Sequence, residues 1–518
     1  MLIKISLLII FFAVFIFVGI KCRAASRNVS GYVLGGRTVG PWLTAFAYGT
    51  SYFSAVIFVG YAGQFGWQFG IASTWIGLGN AFIGSLLAWV ILGRRTRIMT
   101  QHLGSRTMPE FFGQRYESGT LKIAASAITF IFLIPYTASL FNGLSRLFRM
   151  AFEVDYTVCV VAMAVLTAVY VIAGGYMATA VNDFIQGIVM LIGIVAVIAA
   201  VLAKHGGFMQ SLAEMSRIES PVMDGVYVSF FGPQPAYLLI VVLLTSLGTW
   251  GLPQMVSKFY AIKNEDSIKI GTFISTFFAV IVAGGCYFLG GFARLFNTAE
   301  SVAAEGFDSI VPTMLSGLGD TLIAVVLILV LSASMSTLSS LVLASSSTLT
   351  LDFIDSLRKK HLAEKEKMLT LRAFVAVFII ISATIAIVQA KSRVTFIAQL
   401  MGVSWGALSG SFLAPFLYGL YWKKTTRTAT AVSFCFGTTM MIVQLLISMH
   451  IIPAAGIAAI IFRNSLYSGV FSMLASLLLV PLVSLATQKS RPADVDAMFS
   501  CYETKVLVNA RDVLTEKD

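Results

Sequence analysis

Ser336, Ser339 and Ser340 recur at i, i+3 and i+4 inside the apolar run Thr321–Thr350, which is otherwise mostly Leu, Ile, Val and Ala. On a helix that spacing places three hydroxyls on one face, with Thr337 one step around. Converging hydroxyl and carbonyl oxygens are what a hard cation such as sodium accepts, and they include no titrating group. The same residues would equally serve close helix packing, where small side chains let backbones approach and a serine bonds its own i−4 carbonyl. Asp183 bears on the choice. It heads the apolar run Phe184–Leu202, where a carboxylate is either a helix cap at the interface or a costly intramembrane charge kept for function.

Two further stretches have an unusual texture. Tyr48-Gly49-Thr50-Ser51-Tyr52-Phe53-Ser54 and Thr245-Ser246-Leu247-Gly248-Thr249-Trp250-Gly251-Leu252-Pro253 interrupt long apolar runs with Gly, Pro and hydroxyls. Irregular backbone at membrane depth is tolerated only where it lines a cavity or is buried in protein. The interrupted runs are the second and the seventh. A separation of five is that of two five-span inverted repeats with a binding site at the midplane. Gly and Pro in ordinary packed membrane helices would give the same texture.

The elements that position these residues are membrane helices. Of 518 residues, 58% are hydrophobic and only 12% charged, too apolar for one soluble core with a solvated surface. A spanning helix needs roughly 20 apolar residues, and about thirteen runs qualify. They lie near 3–20, 41–64, 71–93, 122–150, 156–176, 182–203, 235–256, 267–292, 311–351, 368–390, 393–421, 428–450 and 463–486. Alternation of β type is missing, which excludes an outer-membrane barrel. The expected class is an all-α polytopic membrane protein.

The net charge of +12 is gathered in alternate loops rather than on a nucleic-acid-binding face. Arg94, Arg95, Arg97, Arg106 and Arg115 share one loop, and Lys258, Lys263 and Lys269 a second. Arg358, Lys359, Lys360, Lys365 and Lys367 form a third, and Lys423, Lys424 and Arg427 a fourth. The positive-inside rule makes these loops cytoplasmic, so thirteen spans of a plasma-membrane protein put the N-terminus outside and the C-terminus inside. Residues 1–22 read as a retained helix, because Ile20 and Lys21 before Cys22 lack the small residue of a lipoprotein cleavage site. The five Cys are scattered without a CxxC pair, so neither zinc nor a structural disulfide is expected. The organisation expected is an extra helix and cytoplasmic loop at 1–40, a first inverted repeat at 41–203 and an external loop at 204–234. A second repeat at 235–421, two closing helices within 422–487 and a cytoplasmic tail at 488–518 follow.

Tyr32-Val33-Leu34-Gly35-Gly36-Arg37, Gly174-Gly175 with Asn182-Asp183 and Gln186-Gly187, Leu252-Pro253-Gln254, and Met335-Ser336-Thr337-Leu338-Ser339-Ser340 together resemble the sodium:solute symporter family. That family includes the proline, pantothenate, sialic acid and sodium–glucose transporters, and the resemblance covers nearly the whole chain. It implies a leucine-transporter-type core of two inverted five-helix repeats and sodium-coupled import of a small polar organic solute by alternating access, with one or two Na+ ions. The implied sodium site uses the hydroxyls of Ser336 and Thr337 and the carbonyls of Ala333, Thr50 and Phe53. Members such as the sialic acid transporter look to have a second site, at positions matching Ser336, Ser339, Ser340 and Asp183. The count matters: with 100 mV and a tenfold gradient, two ions would drive roughly 10⁵-fold accumulation of a neutral solute, against a few hundred-fold for one.

The chain departs from the proline transporters where selectivity should lie. Tyr52 stands in place of their Asp, Val56 of a Trp, and Thr245 and Thr249 of a Trp and a Tyr. The segments 182–193 and 251–253 look closer to the pantothenate branch, so a pantothenate-like, amino-acid-like or carboxylate solute is favoured over proline itself. The expected substrate-facing residues are Tyr52, Val56, Tyr136, Thr245, Thr249, Trp250, Gln399 and Trp405, whose mixed aromatic and neutral polar character suits a small polar molecule.

An enzyme is not expected. Gly317-Leu318-Gly319-Asp320 matches an intramembrane-protease motif, but that chemistry needs a second Asp in a Tyr-Asp pair, which the chain lacks. Gly402-Val403-Ser404-Trp405-Gly406 matches a nucleophile elbow without its strand or His partner. Gly402, Gly406 and Gly410 are better read as a small-residue packing face. No phosphate-binding GxxxxGKS loop occurs, which argues against an ATP-driven pump. Two rivals share the fold: a transporter-like solute receptor and an uncoupled facilitator. The partners expected are a small solute and the lipid bilayer, with no nucleic acid, and the chain is expected to act as a monomer.

Overall fold

Apolar runs of twenty or more residues find no water for their backbone groups in a bilayer, so each closes its hydrogen bonds internally as a helix. The computed structural model describes residues 2–152, 154–358, 361–392 and 397–503. In chain order its long helical elements are α1 (Leu2–Lys21), α2 (Pro41–Tyr52), α3 (Val56–His102), α4 (Gly119–Phe152), α5 (Tyr156–Ala203), α6 (Pro235–Ser246), α7 (Pro253–Ala261), α8 (Asp266–Leu295), α9 (Asp320–Leu357), α10 (Glu364–Ser392), α11 (Ile397–Tyr421), α12 (Arg427–Ser448) and α13 (Ser465–Ala486). The described residues contain no strand beyond a single isolated bridge. Lys359, Lys360, the tail past residue 503 and the side chain of Tyr52 lie outside the described residues.

Ten helical stretches among the described residues are long and apolar enough to cross a membrane, or up to eleven if the bent pair α6 and α7 is one span. The apolar runs do fall on helices; the number differs from thirteen because runs share elements. α5 holds the runs at 156–176 and 182–203 in 48 residues, interrupted at Gly175. Straight, it would be about 72 Å long, over twice the roughly 30 Å hydrocarbon core. Gly175 has φ 55° and ψ −152°, and a Cβ there would lie 2.7 Å from the Tyr32 ring, so both the backbone and the space ask for glycine. α3 merges the second part of the 41–64 run with 71–93 in the same way.

Outward residues such as Phe17, Ile192, Phe273, Ile380 and Leu482 are 62–75% exposed, forming an apolar surface suited to lipid. α9 is enclosed: every residue from Leu329 to Leu343 is buried. The expected packing face of α11 is present. A Cβ on Gly406 would meet Gly469 Cα at 2.8 Å, and Cβ atoms on Gly402 and Gly410 would meet Ser465 and Ser472, so α11 and α13 touch almost backbone to backbone.

Two helices are broken as the sequence suggested. α2 stops at Tyr52, Phe53 is extended (φ −90°, ψ 127°), and helix resumes by Val56. The second break falls at Leu252 (φ −88°, ψ 119°), which Pro253 holds out of the helical region, and the two halves are bent by 48°. Val39, just before α2, pairs with the end of α7: its N–H donates to Ala261 O (3.3 Å) and its carbonyl accepts from Lys263 N (3.0 Å). The Leu34-Gly35-Gly36-Arg37 turn aids this junction. Gly35 and Gly36 have φ of 58° and 66°, and Arg37 donates to the carbonyls of Tyr260 (3.1 Å), Thr100 (3.1 Å) and Ser105.

The basic loops meet at one end of the molecule. Arg97 donates to Ile262 O (2.5 Å), Arg115 to Gly419 O (2.8 Å), and Arg427 pairs with Glu117 (2.6 Å). Asp352 accepts from Thr107 and lies 3.5 Å from Lys122. The start of the tail docks there too, with the N–H groups of Ala493 and Asp494 donating to Glu117 at 3.1 and 2.9 Å. One member of the expected loops is elsewhere. Lys258 belongs to α7 and is only 2% exposed, because Pro253 starts a helix that carries it into the protein.

At the crossing of α3 and α8, a Cβ on Gly66 would sit 1.9 Å from the backbone oxygen of Gly290. Gly66→Ala is therefore expected to cost about 1–3 kcal/mol or more, since two backbones must separate. Gly284→Ala, with nothing within 4 Å of the new Cβ, should be nearly neutral. Thermal unfolding of the purified variants in detergent checks both; equal midpoints would refute the close crossing.

Candidate functional site

The break after α2 removes helical N–H partners from its last carbonyls, and the hydroxyls of α9 take their place. Ser336 Oγ lies 3.0 Å from Thr50 O and 3.1 Å from Ala333 O. Thr337 Oγ1 lies 3.2 Å from Thr50 O, 3.1 Å from Phe53 O and 3.1 Å from Ala333 O. All of these residues are at most 1% exposed. Five oxygens thus form one cluster with five close contacts, yet its two hydroxyls bring only two protons. The surplus of acceptors in a dry place fits a small hard cation and does not depend on a carboxylate.

The rest of the stripe points elsewhere. Ser339 Oγ donates to Ser336 O (2.9 Å), back along its own helix. Ser340 Oγ lies 2.9 Å from Ser51 Oγ on α2 and accepts from Lys258 Nζ at 3.0 Å. The same ammonium is 3.7 Å from Asp183 Oδ2 and 5.2 Å from the centre of the Tyr176 ring. Asp183 is no interfacial cap. It lies eight residues past Gly175 inside α5, fully buried, and among the described residues neither carboxylate oxygen accepts a hydrogen bond within 3.5 Å. Ser336, Ser339 and Ser340 thus share a helix but not an environment: Ser336 belongs to the oxygen cluster and Ser340 to the Lys258–Asp183 pair.

Lys258, Ser51 and Tyr176 are the residues that sequence reading missed. The charge pattern groups Lys258 with loop lysines, although Pro253 at the head of a helix places Gln254 and Lys258 on one face at i and i+4. That signal was available.

The expected substrate residues distribute over the breaks. Val56 starts the helix after the first break and is buried. Ala55, beside it, packs on α4, where a Cβ on Gly143 would lie 3.2 Å from its carbonyl oxygen. Tyr136 of α4 meets Trp405 of α11 edge to face, with ring centres 5.8 Å apart. Thr245 and Thr249 donate within their own helix, to Val241 O and Ser246 O, both at 2.8 Å. Trp250 Nε1 donates to Ile83 O at 3.0 Å. Gln399 lines a different space, a cavity of about 130 Å³ shared with Pro135, Val403, Gln444 and Ser465. Six residues from Trp405, it lies about 120° away around α11. Tyr52 closes α2, and its backbone alone is described.

Comparison with known proteins gives these features a context. Residues 32–437 match the model of the Sodium:solute symporter family, a stretch that includes both breaks, α5, α9 and α11. A sodium/proline symporter of Staphylococcus aureus is 28% identical over 517 residues, spanning 98% of this chain and 96% of the relative. The sodium/proline symporter of strain JH9 is 29% identical over 518 residues with the same coverage. Among solved structures, a Na+-coupled sialic acid symporter in a substrate-bound outward-open state superposes with a TM-score of 0.72 at 15% identity, over 93% of this chain and 98% of that one. MHP1, a nucleobase-cation-symport-1 family transporter in a closed conformation, gives 0.51 at 14% identity, over 91% and 97% of the two chains. These structural likenesses establish the leucine-transporter type of fold. With the family model covering well over half of its length, this chain belongs to the sodium:solute symporter family, whose members are transporters and not enzymes.

Proposed function

We propose that this protein imports a small polar organic solute together with sodium, with sodium held by the hydroxyls of Ser336 and Thr337 and the carbonyls of Thr50, Phe53 and Ala333. The observation that carries this reading is the buried cluster of five oxygens with two protons, spread across the first helix break and α9. A cation there would stitch α2 to α9, so its arrival favours one arrangement of the two. Binding energies are reciprocal, so a solute that prefers the stitched arrangement tightens sodium binding by the same factor. We place the first repeat at 41–203 and the second at 235–421.

The solute is proposed to be amino-acid-like or a carboxylate, pantothenate included. The Staphylococcus aureus relatives carry proline in their names, but the non-acidic first break and the Tyr136–Trp405 aromatic pair of this chain favour testing a wider set. The proposed orientation, N-terminus outside and C-terminus cytoplasmic, draws support from the basic loops meeting at one end. Lys4, near the start of α1, pairs with Asp320 at 2.8 Å, at the end away from the basic loops.

Loss of one hydroxyl ligand in a buried site costs about 1–2 kcal/mol. Thr337→Ala is therefore expected to raise the sodium concentration for half-maximal effect about tenfold. Ser334→Ala should leave it unchanged, since Ser334 Oγ donates to Val330 O outside the cluster. The measurement is binding of proline, pantothenate, other amino acids, monocarboxylates, sugars and sialic acid to purified protein, with and without sodium at constant ionic strength. A solute that binds identically in both conditions would refute coupling and favour the facilitator or receptor. Sodium-dependent binding without uptake into proteoliposomes would single out the receptor.

A further inference from the structure

Four residues at the foot of the serine stripe form a complete charge arrangement that the proposed sodium cluster does not use. The Lys258 ammonium is within 3.0 Å of Ser340 Oγ, 3.7 Å of Asp183 Oδ2 and 5.2 Å of the Tyr176 ring centre. Lys258 is 2% exposed and Asp183 fully buried. Taking a lone ammonium or a lone carboxylate into a dry interior is prohibitive, and each makes the other tolerable. The hydroxyl of Ser340 and the ring face of Tyr176 complete the cation's surroundings. Asp183 Oδ2 and Ser340 Oγ, two of the oxygens a second sodium would need, are therefore already turned to a cation that belongs to the chain.

Electroneutrality then decides how many ions the protein takes. Asp183 is the sole carboxylate in contact with the ammonium among the described residues. A sodium ion added beside it would leave a net positive charge in a buried place, opposed directly by Lys258. A crevice of about 30 Å³, bordered by Arg106, Met108, Tyr176, Ser257, Lys258 and Ser340, lies beside the pair.

We propose that Lys258 is a tethered substitute for a second sodium ion: its ammonium fills the place between Asp183 and Ser340, so that the chain binds one sodium ion per cycle. This rests on the sodium cluster proposed above and extends it. The consequence is energetic: with 100 mV and a tenfold gradient, one ion sustains a few hundred-fold accumulation of a neutral solute, where two would reach roughly 10⁵-fold.

The test needs no knowledge of the solute. Radiolabelled sodium alone is titrated against the purified full-length chain and the bound ions per chain are counted. The wild type should bind one. Lys258→Met, which keeps the stem and removes the charge, should bind two, and the double variant Lys258→Met/Asp183→Asn should return to one. Adding Thr337→Ala should weaken about tenfold the single ion of the wild type, and in Lys258→Met should weaken one of the two ions by the same factor and leave the other unchanged. Two ions in the wild type, or one in a folded Lys258→Met, would overturn the tethered-cation proposal while leaving the five-oxygen cluster standing. No ion in the wild type would instead bring down the sodium cluster itself, and the count built on it. If Lys258→Met fails to fold, the wild-type count and Lys258→Arg, which should keep one ion, still decide the matter.

Discussion

The organisation of the core follows from the carbonyls freed where α2 ends inside the membrane. A helix that stops in hydrocarbon leaves C=O groups without N–H donors, and no water is at hand to supply them. Here α9 supplies hydroxyls at two successive positions, Ser336 and Thr337, and both reach the carbonyl of Thr50. The requirement propagates outward. α9 must lie against the break, and α5, α4, α10, α1 and α2 itself enclose it. The lipid-facing burden falls on helices such as α1, in whose apolar window only 22% of residues are buried, against 72% in that of α9.

A second constraint is the neutrality of buried charge. Asp183 alone would be unstable at its depth in α5, and so would Lys258 in α7. Their proximity requires the second half of the broken α6–α7 pair to approach α5 and α9 together, and the backbone provides for it. Pro253 starts α7 with the correct facing, Val39 pairs with the residues flanking Ile262 at the far end of α7, and Arg37 clamps Tyr260 O from the same turn. The Leu34-Gly35-Gly36-Arg37 motif, remote from the site in sequence, thus helps set the position of the buried ammonium.

Much of this was legible in the residues. Long apolar runs become helices because membrane backbone has few alternatives, and Gly, Pro and hydroxyls clustered within a run marked both breaks. The Ser336–Thr337 pair is legible through the family resemblance and not through spacing: the i, i+3, i+4 stripe predicts that Ser336, Ser339 and Ser340 converge, and their hydroxyls part instead. Division into spans was harder to read at α3, which runs from Val56 to His102 across the boundary expected between residues 64 and 71, whereas the break of α5 at Gly175 falls close to the boundary expected between 156–176 and 182–203. Lys258 was misplaced for a physical reason. Positive charge near a helix end ordinarily marks the cytoplasmic edge, and a lysine stem is long enough to make inside and outside indistinguishable without knowing which way the helix faces. Gln399 illustrates the same limit from another side, since adjacency to Trp405 in sequence does not put both on one face of α11.

The two constraints meet at Ser340. Its hydroxyl lies 2.9 Å from Ser51, in the last turn of α2 before the first break, and 3.0 Å from Lys258, just beyond the second break. One turn away, Ser336 holds the carbonyl of Thr50. An ion in the proposed five-oxygen cluster would pull on the end of α2, and Ser51 rides on that end. Any shift of α2 relative to α9 therefore alters what Ser340 can offer Lys258, and with it the fit of α7 against α5. If the ammonium keeps its partners whichever way the transporter faces, α7 would follow α9 and α5, while α2, tied to α9 through the proposed cluster, would be the element that an ion holds. A chain with a mobile cation at one break and a covalently held one at the other would thus place its gating on the first break and its rigidity on the second.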